Sequence, residues 1–327
     1  MKAETLRLGS RRSPMAVAQS GDVARLIAER TGRRAEIVGV TTLGDVSREH
    51  LTQIGGTGVF VSALRESLLR GEVDFAVHSL KDLPTGASPG ITLAAIPVRD
   101  DPRDALVGRD GAKLADLPAG ARIGTGSPRR AAQIARLRED VSCVPIRGNA
   151  NTRLAKVRDG EFDAVVLAYA GLARLGLTEL VTEIFEPDDM VPAPGQGALA
   201  VECRTEDTEL AALLATIDHA QSRAAVTAER SLLAALEAGC TAPIGAYAVQ
   251  WPALLRLQGV VLGVHAARRH GNGLDTAAAG GTMVVRERGE SDLGDPVLLG
   301  RELAARMLAL GAADLISAKT DRDDAHD

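Results

Sequence analysis

The run Arg122-Ile123-Gly124-Thr125-Gly126-Ser127-Pro128 echoes an earlier one, Arg7-Leu8-Gly9-Ser10 followed closely by Ser13-Pro14. In both, a short apolar stretch ends at glycine and Ser-Pro opens a segment containing Ala-x-x-Gln or Ala-Gln. That order describes a strand handing the chain to a helix. Serine caps the helix, and proline takes the first helical position, where a missing N–H costs nothing. Over so few residues the echo is compatible with chance. The other reading is two like-folded domains, each presenting a Ser-Pro helix start whose free amides suit an anion.

Working outward, Leu6 to Gly9 reads as a strand, Pro14 to Arg30 as a helix and Ala35 to Thr41 as a second strand. Helix Val59 to Arg70 and strand Asp74 to His78 continue the alternation, which predicts α/β domains with mostly parallel sheets. Thr42 to Gly58 lacks periodicity and holds Gly44, Gly55, Gly56 and Gly58, so it reads as a long loop of the functional or disordered kind. After Arg99-Asp100-Asp101-Pro102 the pattern restarts, and a return strand, Gly197 to Glu202, follows Pro192-Ala193-Pro194-Gly195-Gln196. The remainder changes character. Helix Ala224 to Leu236, strands Leu254 to Val264 and Thr282 to Arg286, and helix Pro296 to Leu310 predict a small α+β domain, and Thr320 to Asp327 reads as a disordered tail.

Composition narrows the function. The chain has 327 residues, 38 Lys+Arg against 43 Asp+Glu, and a net charge of -5. At roughly 150 residues per domain, this length suits two domains and a small third. The acidic total and the 2% aromatic content argue against a general nucleic-acid binder, which needs basic surface or stacking platforms. Cys143, Cys203 and Cys240 lie far apart with no CxxC pair, so neither a zinc cage nor a disulfide framework is indicated, and the six histidines show no metal-ligand spacing. The start, Met1-Lys2-Ala3-Glu4-Thr5, has no apolar signal region, and the uncharged stretch Ala238 to Leu255 is interrupted by Pro243 and Pro252. The expectation is a cytoplasmic protein without membrane spans.

Arginine placement is the main chemical signal. Arg11, Arg12, Arg129, Arg130, Arg147, Arg153 and Arg174 fall at predicted strand-to-helix junctions or on loops beside glycine or serine. Doubly wound sheets bind ligands outside the carboxyl ends of their strands, so these guanidinium groups are expected to converge on a cleft and pair with carboxylate or phosphate. Solvated surface charge is the bland alternative for any one of them. His78-Ser79-Leu80-Lys81-Asp82-Leu83-Pro84 sets a lysine and a carboxylate just past a strand. Asp82 is either a general acid/base or a turn-forming aspartate before proline. Cys240, after Gly239 and before Thr241-Ala242-Pro243, is either a reachable thiol or a small buried hydrophobe. Gly195-Gln196-Gly197-Ala198-Leu199-Ala200 fits a dinucleotide fingerprint in letters, but it follows Pro192-Ala193-Pro194 instead of opening a βαβ unit, so that site is rejected.

Six segments, taken in order, resemble the porphobilinogen deaminase (hydroxymethylbilane synthase) family: Arg11-Arg12-Ser13-Pro14, His78-Ser79-Leu80-Lys81-Asp82, Gly124 to Arg130, Arg147-Gly148-Asn149-Ala150-Asn151-Thr152-Arg153, Pro194-Gly195-Gln196-Gly197-Ala198 and Gly239-Cys240-Thr241-Ala242-Pro243-Ile244-Gly245. The resemblance runs from about residue 5 to residue 315. It implies two like-folded α/β domains similar to periplasmic binding proteins and a small C-terminal α+β domain. Domain 1 would span 1–98 and 197–216, domain 2 99–196 and domain 3 217–318, with a disordered tail over 319–327. It further implies a dipyrromethane cofactor held by a thioether to Cys240, and a transferase that joins four porphobilinogen molecules head to tail with loss of ammonia.

By the same resemblance Asp82 is the catalytic carboxylate. It would protonate the departing amine, then face the cationic pyrrole nitrogens of the electron-poor azafulvene. The implied carboxylate binders are Arg11, Ser13, Lys81, Thr125, Ser127, Arg129, Arg130, Arg147, Arg153, Arg174 and Gln196. Each pyrrole brings an acetate and a propionate, and burying such charges unpaired is prohibitive. Gln53 and Thr57 stand where many relatives have lysines, and Gly126 stands for a frequent serine, so no lid role is carried over to that loop. A monomer is expected. The rival is a small-anion receptor of the same two-lobed architecture without catalysis, and an inactive relative is a third reading.

Overall fold

The computed structural model describes residues 5–40, 58–236, 242–263, 283–292 and 294–317. The chain opens with strand β1 (Leu6–Arg11), helix α1 (Pro14–Thr31), strand β2 (Ala35–Val40), helix α2 (Gly58–Leu69), strand β3 (Phe75–Ser79) and strand β4 (Ile91–Ala95). Ser13 caps α1, its Oγ accepting from Ala16 N at 3.3 Å, and Pro14 fills the first helical position. Gly32 closes the helix in the left-handed region at φ 71°, its N–H donating to Ala28 O, a conformation that glycine adopts without strain. Val23 and Ile27 of α1 are buried against Leu6, Leu8, Phe75 and Val77 of the sheet. Burying a side chain of this size stabilises by about 1.5–3 kcal/mol.

A second set follows: β5 (Asp104–Gly108), β6 (Arg122–Gly124), helix α3 (Pro128–Leu137), β7 (Ser142–Val144), helix α4 (Ala150–Arg158), β8 (Ala164–Ala168), helix α5 (Tyr169–Arg174) and the short β9 (Glu183–Ile184). Ser127 caps α3 as Ser13 caps α1, accepting from Arg130 N at 3.4 Å. The chain then returns through β10 (Leu199–Arg204) and continues into helices α6 (Thr208–Leu214) and α7 (Ala220–Ala235). The first sheet has the order β2-β1-β3-β10-β4 and the second the order β7-β6-β8-β5-β9. In each order, the second strand pairs in parallel with both neighbours, and the third pairs with an antiparallel strand entering from elsewhere in the chain. The repeated Ser-Pro signature therefore marks a repeated fold.

The last region is an antiparallel meander, β11 (Ile244–Trp251), β12 (Leu254–Gly263) and β13 (Met283–Asp292), followed by α8 (Pro296–Ala309) and α9 (Ala312–Ser317). Strand β11 lies in the uncharged stretch that sequence reading left without a strand. Ile244, Ala246 and Ala248 alternate into the core, and Ile244, Tyr247, Val249 and Trp251 supply strand propensity that the interspersed alanine and glycine mask. Strand β13 runs past the predicted Arg286 to Asp292, because its alternating Glu287, Arg288 and Glu290 suit the half-solvated edge of a sheet. Gly259 is where helices sit directly on the sheet. A Cβ there would lie 2.8 Å from Leu232 Cδ2 and 2.9 Å from Met307 Sδ. By compactness the chain forms two units, one of Met1–Asp100 with Gly195–Ala224, the other of Asp101–Pro194 with Ala225–Asp327.

Candidate functional site

In the first unit, β3 runs into a single tight turn, Leu80–Asp82. Leu80 is fully buried and its N–H donates to Ala198 O at 3.0 Å, while Leu83 N donates back to Leu80 O at 3.1 Å. Lys81 and Asp82 remain half-buried. The crossing segment Gly195-Gln196 packs on this turn. Gly195 has φ 76°, and a Cβ on it would lie 3.1 Å from Leu80 Cγ, so both backbone conformation and space require glycine. Gln196 is fully buried; its Oε1 accepts from Lys81 Nζ at 3.3 Å and its carbonyl from Arg99 Nε at 2.8 Å. Gln19 Nε2 donates to Ser79 Oγ at 2.8 Å, tying α1 to the same strand end. Arg11 ends β1, half-buried, directly before the Ser13 cap. Ser13 Oγ spends an acceptor site on the cap and keeps its O–H to donate.

Behind the turn lies a charge cluster that sequence reading missed. Glu202 of β10 is buried, and its carboxylate takes a fork from Arg65 of α2, Nε at 2.9 Å and Nη2 at 2.6 Å. His78 Nε2 stands 3.3 Å from Glu202 Oε2. Burial alone would raise this carboxyl, but the Arg65 fork and His78 outweigh it and hold the pKa down at about 2. His78 is thus a buried structural neighbour of the carboxylate.

In the second unit, Arg129 and Arg130 occupy the first turn of α3 and are almost completely buried. Both meet the fully buried Asp104, the first residue of β5. Arg130 donates to Oδ1 from Nε at 2.9 Å and from Nη2 at 2.7 Å, and Arg129 Nη1 lies 2.8 Å from Oδ2. Arg130 Nη1 also donates to Val166 O at 3.1 Å and Arg129 Nη1 to Val191 O at 2.6 Å. Burial pushes the Arg129 pKa down; Asp104 opposes this and neighbouring Arg130 adds to it. Arg153, in α4, is likewise lowered by burial and then by Arg130, and its Nε donates to Gly148 O at 2.8 Å. Arg147 is exposed on the loop before α4, and Arg174 ends α5, half-buried. Thr125 Oγ1 accepts from Ser127 N at 3.2 Å, which orders the approach to the cap. Arg11 ends β1 and Arg12 lies between β1 and α1, Arg129 and Arg130 lie in the first turn of the helix that follows β6, and Arg147 on the loop before α4, whereas Arg153 and Arg174 lie within helices. Asp104 had a sequence signal, a lone carboxylate opening the apolar run Ala105-Leu106-Val107, and Glu202 has the same signal inside Leu199 to Cys203.

Cys240, Gln53, Thr57 and the tail over 319–327 lie outside the described residues. Of the other thiols, burial pushes Cys143 up to about 12, and Cys203 is buried and also raised. Among the described residues no group of His, Cys, Asp and Glu could hold a metal ion, and no helix is long and apolar enough to cross a membrane.

Two sheets of one winding, a helix-backed antiparallel meander and guanidinium groups gathered at the first turns of helices define an α/β protein with the residue types of an anion binder. Comparison with known proteins gives the family. Residues 6–212 match the family described as "Porphobilinogen deaminase, dipyromethane cofactor binding domain", and residues 223–309 match "Porphobilinogen deaminase, C-terminal domain". The chain belongs to the porphobilinogen deaminase family. A curated porphobilinogen deaminase of Thermobifida fusca is 55% identical over 320 residues, covering 97% of each chain. Porphobilinogen deaminase 1 of Streptomyces coelicolor is 56% identical over 325 residues, covering 97% of this chain and 98% of its own. Among solved structures, a periplasmic substrate-binding protein from Coxiella burnetii overlaps 65% of this chain at 16% identity, with a TM-score of 0.41.

Proposed function

We propose that this chain is a working transferase that joins four porphobilinogen molecules head to tail, releasing one ammonia at each addition, and yields hydroxymethylbilane for tetrapyrrole synthesis. The observation that carries this reading is the family match at 55% identity across 97% of the chain. The donor chemistry of the second unit supports it. Two buried guanidinium groups, Arg129 and Arg130, gather on Asp104, and Arg153 stands close enough to Arg130 to feel its charge. A dipyrromethane carries four carboxylates, and guanidinium groups are the donors suited to bind them.

Arg129, Arg130, Arg147, Arg153, Thr125 and Ser127 would hold carboxylates from the second unit, and Arg11, Ser13, Lys81 and Gln196 from the first, with Arg174 as a further contact. Bound through Cys240 Sγ, the cofactor supplies a nucleophilic pyrrole α-carbon to which the first substrate is joined. Asp82 gives its proton to the substrate's aminomethyl nitrogen, so that ammonia leaves as the C–N bond breaks. Its carboxylate then sits beside the electron-poor ring and takes the proton displaced when the new C–C bond forms. The tight turn and the hydrogen bond from Leu80 N–H to Ala198 O fix the backbone that carries Asp82, and Lys81 donates to Gln196. The protein is placed in the cytoplasm as a monomer, which equilibrium sedimentation would check.

The test is intact mass together with turnover. The purified chain is expected to exceed its sequence mass by two pyrrole units, and Cys240→Ala to lose that excess. Asp82→Asn is expected to keep the adduct while turnover falls by at least about a hundredfold, the scale of general acid–base catalysis. A bare chain mass sinks the cofactor assignment, and near-normal turnover in Asp82→Asn removes the role of Asp82. An adduct-free chain that binds small anions without turnover would establish the receptor reading instead.

A further inference from the structure

One buried residue of the second unit belongs to neither the carboxylate-binding set nor an ordinary apolar core. Gln133, one helical turn after Arg129 on α3, is 2% exposed. Its amide brackets a single residue: Val191 N donates to Oε1 at 2.8 Å, and Nε2 donates to Val191 O at 3.1 Å. The same Val191 O accepts from Arg129 Nη1 at 2.6 Å, so both carbonyl lone pairs are used. Nε2 also lies 3.4 Å from Arg129 O. A guanidinium can swing about four side-chain torsions; here its Nη1 is pinned between Asp104 Oδ2 and a carbonyl that Gln133 immobilises.

The same segment also anchors the C-terminal sheet. The next carbonyl, Pro192 O, accepts from Ala246 N at 2.9 Å, near the start of β11. At Gly245 a Cβ would lie 2.8 Å from Val191 O and 2.9 Å from Val260 Cγ1, so β11 is pressed directly onto this segment. Val191 is fully buried with Ala132, Val260 and Leu262, and Tyr247 and Val284 pack on the same cluster. Ile244, the first residue of β11, follows closely in sequence on Cys240.

We infer that Gln133 is a positioning residue: by locking Val191 it sets the Arg129 guanidinium and the root of β11 in one fixed relation. A carboxylate-binding arginine and the strand that follows the cofactor-bearing cysteine thus share one buried hydrogen-bonded joint. This rests on the functional reading above. A glutamine suits the task because it offers a donor and an acceptor without charge. A charged residue here would disturb the Asp104 balance, and an apolar one would leave the Val191 N–H unsatisfied.

Gln133→Met keeps the side-chain length and removes both hydrogen bonds. Ile134→Val, a buried neighbour on the same helix, loosens packing without touching Val191 and serves as the control for general destabilisation. Both are purified as folded monomer, checked by circular dichroism and thermal unfolding, and read by intact mass and by steady-state kinetics with porphobilinogen. Gln133→Met is expected to carry the two-pyrrole adduct on a reduced fraction of folded chains. Its KM should rise about tenfold while kcat of the loaded fraction changes little, the effect of disturbing one hydrogen bond to a charged group. Ile134→Val should load fully with an unchanged KM. Full loading and an unchanged KM in Gln133→Met overturn the positioning role. So does a matching loss in Ile134→Val, which would make the effect one of helix packing. If Gln133→Met does not fold, Gln133→Asn, which stays neutral and carries the amide one carbon too short to bracket Val191, is read in the same way. A wild-type chain without any adduct overturns the functional reading and this inference with it.

Discussion

The two like-wound sheets differ in how they neutralise the strand that enters each from elsewhere in the chain. In the first sheet β10 brings in Glu202, paired with Ala76 near the beginning of β3, and Arg65 with His78 satisfies it. In the second sheet β5 brings in Asp104, paired with Ala168 at the carboxyl end of β8, and two arginines share it. The carboxyl ends of parallel strands are where α/β sheets bind ligands. The Glu202 group therefore sits near the beginning of β3, and the Asp104 group at the carboxyl end of β8. One winding thus buries a carboxylate against one arginine in one unit and against two in the other.

The largest effect should come from Asp104→Asn. It strips the counter-charge from two buried guanidinium groups, and breaking such a pair costs about 3–5 kcal/mol. Urea unfolding should show this loss, together with a lower adduct content in the surviving folded fraction. If Glu202→Gln, with one arginine and one histidine left behind, destabilised the chain more, the contrast between the sheets would be lost.

A pH titration sharpens the same contrast. The carboxyl of Glu202 titrates at about 2 when folded against an ordinary 4.5, so its contribution is complete above 4.5 and disappears as the pH falls towards 2. The depression is worth about 3 kcal/mol, from 1.36 kcal/mol per unit. Urea midpoints measured between pH 6 and pH 3 should fall more steeply in the wild type than in Glu202→Gln. Parallel slopes would show that Arg65 and His78 do not hold the carboxylate down.

The smallest effect concerns what the sheets share. Ser13→Ala and Ser127→Ala should each cost about 1 kcal/mol, the value of a serine N-cap. Nearly equal losses are expected, since the caps have the same geometry, 3.3 Å and 3.4 Å. A marked inequality would show that one serine does more than cap.

Much of this was legible in the residues. Ser-Pro at two points predicted both helix starts, and a return strand was expected after Pro194-Gly195-Gln196, where β10 runs. The family segments pointed to Asp82 and the arginines. What escaped reading shares a cause. Strand β11 mixes strand formers with alanine and glycine and is tied to α7 by the Ala248 N–H to Glu229, a contact no local pattern shows, and β13 hides in alternating charge. The partners of Arg129 and Arg130 escaped for the same reason, because no local pattern joins them to Asp104, nor joins Arg65 to Glu202.

Caps, glycine turns and the order of strands and helices are settled within a few neighbouring residues, so the sequence by itself determined them, along with the family. Which arginines are buried, which carboxylate each faces and which glutamine holds Val191 were decided only by tertiary structure. A buried charge must find its counter-ion wherever packing places one, and packing brings together residues far apart in the chain.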